Sequence, residues 1–185
     1  GAWRVERFEI GSTESALSLF SYGARAPHPG VYTRLMRGRQ VIMSDTPAEM
    51  RDHHEPVYRA CGEVLINGLG LGMVAQACLE RPQVARVTVV ELSADVIALV
   101  APHYLARYGK RLRVVRADAF TYTPDLPSYG AVWHDIWDDL CEDNLPEMTR
   151  LKRKYGRRAD WQGCWSEGAV RAHKRRPARA SWRYD

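Results

Sequence analysis

Apolar and polar residues follow two rhythms along this chain. In the first part, "WRVERFEI" alternates loosely, "YGARAPHPG" is a Pro/Gly turn, and "VYTRLMRGRQVIM" offers two short strands about "RGRQ". Residues 1–46 therefore read as extended, with a β-hairpin expected. In "SDTPAEMRDHHEPVYRAC", Ser44 or Asp45 can cap a helix that has Pro47 and Glu49 in its first turn, and Pro56 is expected to break it.

A regular α/β pattern follows. "EVLINGLG" reads as a buried strand, and "MVAQACLERP" as a helix with Pro82 past its end. "RVTVVEL" is a second buried strand. "SADVIALVAPHYLARYG" is a helix with Ser93 at its N-cap, a kink expected at Pro102, and Gly109 as its stop. "RLRVVRAD" and "YGAVWHDIW" are a third and a fourth strand, and "EDNLPEMTRLKRKYG" is a helix with a basic end. "RRADWQGCWS" has room for one more short strand, and "AVRAHKRRPARASWRYD" is expected to be loose. Strands that are apolar throughout and alternate with helices predict an α/β fold: a Rossmann-like, mostly parallel sheet with helices on both faces, preceded by the N-terminal β-hairpin. The organisation expected is an N-terminal region over 1–46, a core over 47–156 and a basic tail over 157–185, all in one domain.

Composition narrows the class. The 185 residues are 45% apolar and 26% charged, an ordinary globular balance. No window approaches the roughly 18–20 apolar residues of a membrane span, and the N-terminus lacks a signal-peptide core, so a cytoplasmic protein is expected. Cys61, Cys78, Cys141 and Cys164 are widely spaced without a CxxC pair, which argues for reduced structural thiols and no metal site. The net charge of +5 is uneven: residues 151–185 carry 11 Lys/Arg against three acids, and the first 150 carry 16 against 19. A solvated tail or a polyanion contact explains such a block.

The chemistry centres on "INGLGLG". Gly68, Gly70 and Gly72 at a strand-to-helix turn let backbone approach a ligand. Read from Gly70, "GLGMVA" fits the dinucleotide fingerprint G-x-G-x-x-A. Read from Gly68, "GLGLG" resembles motif I of the class I S-adenosylmethionine-dependent methyltransferases. Glu91, ending the second strand, suits both readings, because a carboxylate there can bind ribose hydroxyls. Asp118 in "ADAF" favours the methyltransferase resemblance, which implies an acid beside the adenine amino group and a ring contact from the backbone N–H of Ala119. The resemblance implies S-adenosyl-L-methionine as cofactor, held by Asn67, Gly68, Leu69, Gly70, Glu91, Leu92, Asp118, Ala119 and Asp135. It also implies a seven-stranded sheet. Only four or five strands are legible here, so the C-terminal part of that sheet is expected to be truncated.

Two further likenesses bear on the reaction. "EMRDHHEPVYRA" is similar to the entry segment of guanidinoacetate-type N-methyltransferases, with His54 in place of an aromatic residue and Val57 in place of Tyr. With the hairpin before it, the segment also looks like the spermidine synthases, keeping the His and Glu of their Tyr-His-Glu run. Both place Glu55, and Asp135 after the fourth strand, near the transferring group. A carboxylate there can hold a cationic amine, orient its lone pair and accept a proton. Asp135, Glu55 and His54 are thus the expected catalytic residues, with His134 as a second candidate proton relay and Trp133 and Trp137 as candidate stacking surfaces.

The expected activity is methyl transfer to an amine or guanidine of a small molecule or peptide. Three alternatives stay open. The first is nucleic-acid methylation through residues 151–185, where Trp161, Trp165, Trp182 and Tyr184 interleave with basic residues. The others are aminopropyl transfer and a cofactor-binding module without catalysis. An unfinished sheet edge also invites a homodimer.

Overall fold

A computed structural model describes residues 2–139 and 141–174. Five strands form one parallel sheet: β4 (Gly62–Asn67), β5 (Val84–Glu91), β6 (Leu112–Arg116), β7 (Tyr129–His134) and β8 (Ala159–Cys164). Their order across the sheet is β6-β5-β4-β7-β8, and every neighbouring pair is parallel. The chain builds outward from β4 in one direction and then returns to β7 on β4's other side. That reversal is a topological switch point, where a crevice opens at the carboxyl ends of the strands.

The pleat sorts the apolar residues onto two faces. Val64, Ile66, Val87, Val89, Ala131 and Trp133 pack with α4 (Met73–Leu79) and α5 (Ala94–Tyr108). Leu65, Val90 and Val132 face the other way, against Tyr122 and Tyr155, the latter on α6 (Asn144–Tyr155). Ser93 caps α5 by accepting from the Val96 N–H at 3.3 Å, and Gly109 ends it with φ 52°, as the sequence predicts. Pro102 lies inside the helix without ending it.

The N-terminal region departs from a simple hairpin. β2 (Gly30–Arg37) and β3 (Gln40–Ser44) pair about Gly38 as expected, and β1 (Trp3–Ile10) adds a third antiparallel strand. The intervening residues are not extended: Ser12–Tyr22 form helix α1, which opens with Ser-Thr-Glu and closes at Gly23 with φ 53°. Those start and stop signals were present in the sequence.

The next helix also breaks elsewhere than expected. α2 (Pro47–Asp52) ends at His53, and α3 (His54–Arg59) begins immediately after it. Pro56 sits in the first turn of α3, where its missing N–H costs no hydrogen bond. At the other end of the chain, Glu167–Lys174 form helix α7, so this part of the expected loose stretch is ordered. Residues 175–185, with the rest of the expected basic tail, lie outside the described residues.

Candidate functional site

A cavity of about 450 Å³ opens over the carboxyl ends of the parallel strands, within the roughly 300–1,000 Å³ usual for small-molecule sites. Its floor follows the strand order. Asp118, Ala119 and Phe120 come from beyond β6, Glu91 and Leu92 from β5, Gly68 to Gly70 from β4, and Asp135 to Asp138 from β7. Trp165 follows β8. The N-terminal sheet supplies a ceiling through Trp3, Leu35, Arg37, Ile42 and Met43, and α2 and its end add Glu49 and His53.

The glycine turn is shaped by close approach. Gly68 has φ 101°, and a Cβ there would lie 1.9 Å from the Asp135 carbonyl oxygen. Only glycine lets the ends of β4 and β7 come this near. The Gly68 N–H donates to Val90 at 2.8 Å, and the Asp135 N–H donates to the Asn67 carbonyl at 2.8 Å. Gly70 lies beneath the Met43 thioether, whose sulfur accepts the Leu71 N–H at 3.1 Å. The ceiling is thereby latched to the turn.

The acids on this side are set by backbone donors. Glu91 accepts from the Leu69 N–H through one oxygen and from the Ser93 N–H through the other, each at 2.8 Å. It clasps the glycine turn to the start of α5. Asp118 accepts the Phe120 N–H at 2.8 Å, and Lys154 of α6 donates to the carbonyls of Ala119 and Phe120. Burial lowers the Lys154 pKa, with the charge of Asp118 opposing it.

On the β7 side, Asp135 meets His53: Nε2–H donates to Oδ2 at 2.9 Å. The His53 side chain is only 6% exposed and that of Asp135 is 19% exposed. Burial pushes the His53 pKa down, but the hydrogen bond and charge of Asp135, with Glu49 and Asp52, outweigh it, and the net direction is up. Glu49 accepts from both the N–H and the hydroxyl of Ser44, and its own pKa is raised by burial. Further out, Arg37 pairs with Asp138, and the Trp137 indole N–H donates to Glu147 at 2.8 Å.

Several expected site residues therefore share one cavity: Gly68, Leu69, Gly70, Glu91, Leu92, Asp118, Ala119 and Asp135 all line it, as does Trp137. Asn67 is fully buried just below, where its amide N–H donates to His134 Nδ1 at 2.7 Å. Burial drives the His134 pKa down to about 4, so this ring is neutral and packed in the interior, away from the cavity. Trp133 is likewise buried, stacked on Trp161 with centroids 6.2 Å apart. Glu55 and His54 are not in the cavity. The Glu55 side chain is 65% exposed and pairs with Arg59 one helical turn on, and His54 stacks on Tyr58. Sequence reading missed His53, Glu49 and the ceiling residues. The adjacent His53-His54 pair gave the signal, but the break between α2 and α3 at His53, which turns one ring inward and the other outward, is not marked in the sequence.

No protein-family model matches the chain, and no curated protein matches its sequence. Solved structures do share its fold. TrmN from Thermus thermophilus is 17% identical and superposes with a TM-score of 0.52 over 69% of this chain and 40% of that one. Spermidine synthase from Thermotoga maritima is 19% identical, with a TM-score of 0.48 over 70% of this chain and 45% of that one. The chain thus spans less than half the length of either. With the parallel sheet reversing at β4 and β7 and the glycine turn beneath the crevice, the fold is a Rossmann-like parallel sheet of the kind seen in TrmN.

Proposed function

We propose that the chain binds S-adenosyl-L-methionine and transfers its methyl group to an amine or guanidine of a small cationic acceptor. One observation carries this reading. The cavity is lined by Glu49, Glu91, Asp118, Asp135, Asp138 and Glu147 against Arg37 and His53, in a chain whose net charge is +5. Such a concentration of carboxylates in a partly closed cleft selects positive ligands. The cofactor fits it, because its sulfonium and ammonium are cationic, and Gly68 keeps the turn free of a side chain.

In this reading the glycine turn from Gly68 to Gly70 faces the aminoacyl part, Glu91 and Leu92 hold the ribose, and Asp118 and Ala119 take the adenine. When bound, the cofactor supplies an electrophilic methyl group. The protein's work is to seat the acceptor nitrogen, exclude water with Trp137 and Trp165, and hold the nitrogen's proton at Asp135. A nucleic-acid acceptor is disfavoured, because its phosphates would meet this ring of carboxylates. Lys152 and Arg171 of the basic C-terminal region are already paired with Glu167.

Calorimetry with S-adenosylhomocysteine tests the reading. A one-to-one heat with micromolar affinity is expected, and no heat at about 1 mM ligand overturns it.

A further inference from the structure

The break between α2 and α3 puts an ionisable ring against the acid that ends β7. His53 is buried and Asp135 is its hydrogen-bond partner, although 82 residues separate them. The ring is held from two more directions. Trp133 meets it edge-on, with centroids 6.3 Å apart at 88°, and α3, which starts at the next residue, packs on β7. A buried N–H bonded to Oδ2 restrains the Asp135 carboxylate, and because Asp135 lines the cavity its other oxygen is the one left to receive a donor there.

We propose that His53 is a positioning residue of the acceptor subsite, locking Asp135 so that its free oxygen receives the N–H of a cationic amine or guanidine. This rests on the function proposed above and deepens it by assigning the acceptor's contact. The charged groups around the ring are Asp135 after β7 and Glu49 and Asp52 on α2. Asp52 is itself paired with Arg25; the net effect favours the protonated ring against its burial, and in the charged ring or the Nε2–H tautomer Nε2 carries the proton it donates to Asp135. On this side of the cavity Glu49 is engaged with Ser44 through both oxygens, Asp138 with Arg37 and Glu147 with Trp137, and Asp135 is the acid held by a buried histidine.

The test uses the full chain labelled with ¹³C,¹⁵N-histidine, with n-butylammonium as the cationic probe and n-butanoate as the anionic control. The His53 ring signals are those missing from His53→Gln. Their titration midpoint is expected to lie above that of an ordinary histidine and to fall by about one pH unit in Asp135→Asn. n-Butylammonium shifts these signals and n-butanoate leaves them in place. His53→Phe, which loses the donor, weakens n-butylammonium binding about tenfold, whereas His53→Gln, whose amide restores an N–H, stays within about threefold. S-adenosylhomocysteine binds both variants as it binds the parent.

The inference is overturned if His53→Phe binds n-butylammonium as tightly as the parent, or if neither probe moves the His53 signals. If His53→Phe fails to fold, a His53 midpoint unmoved by Asp135→Asn overturns it instead. Loss of S-adenosylhomocysteine binding in the parent defeats the cofactor reading alone, because the histidine and amine titrations run on the free protein.

Discussion

The two halves of the cavity are assembled by contacts of different kinds. Over β4, β5 and β6, backbone N–H groups order the acids: Glu91 is clasped by Leu69 and Ser93, and Asp118 by Phe120, two residues on. Over β7 and β8, side chains from distant segments do the ordering: His53 to Asp135, and Arg37 to Asp138 across 101 residues. The first half is preorganised by the turns themselves. The second exists only when the ceiling and the sheet have met.

The seam between the halves gives the largest expected effect. Gly68→Ala drives a Cβ into the Asp135 backbone at a positive φ, and a loss of about 3 kcal/mol or more in urea unfolding is expected. Gly70→Ala meets only the flexible Met43 side chain, so a loss of about 1 kcal/mol is expected there. Equal losses would show that strain, and not the β4–β7 approach, sets the cost.

His134 lies under the same seam. Its folded pKa is depressed to about 4, so the unfolded chain binds the extra proton first as pH falls. Its contribution is therefore present above the ordinary histidine value of about 6.5 and is lost as pH drops toward 4, by about 3 kcal/mol in all. Unfolding measured across this range is expected to show that slope, and His134→Gln to flatten it. His53 has the opposite sign. Its pKa is raised, so its contribution is present below the ordinary value and fades as pH climbs through the folded one.

Asp135→Asn separates the halves by function. About a hundredfold loss of turnover is expected, with S-adenosylhomocysteine affinity within about threefold of the parent. Glu91→Gln is the mirror case: about a tenfold loss of that affinity is expected from weakened charged hydrogen bonds, read by calorimetry. The smallest effect belongs to Glu55→Gln, outside the cavity, which is expected to change stability by less than about 0.5 kcal/mol and to leave ligand binding unchanged.

The same contrast explains what could be read from the sequence. The strands and helices from β4 to β8 announced themselves because buried parallel strands are apolar throughout and their helices carry local caps such as Ser93 and Gly109. The cavity-lining acids Glu91, Asp118 and Asp135 were legible because each sits at a strand end beside its motif. His53, Glu49 and the ceiling were not, because a contact between residues 53 and 135 leaves no trace in either neighbourhood. Helix α1 is hard to read because the short segments around it alternate or turn.

The long reach of the Arg37–Asp138 and His53–Asp135 contacts bears on how the molecule folds. Closing loops of this length costs chain entropy before the contacts repay it, so the half over β7 and β8 is expected to order after the local turns of the other half. A ligand bridging ceiling and floor is then expected to act mainly on the unfolding rate. Stopped-flow refolding and unfolding with and without S-adenosylhomocysteine are expected to show slower unfolding and a nearly unchanged refolding rate.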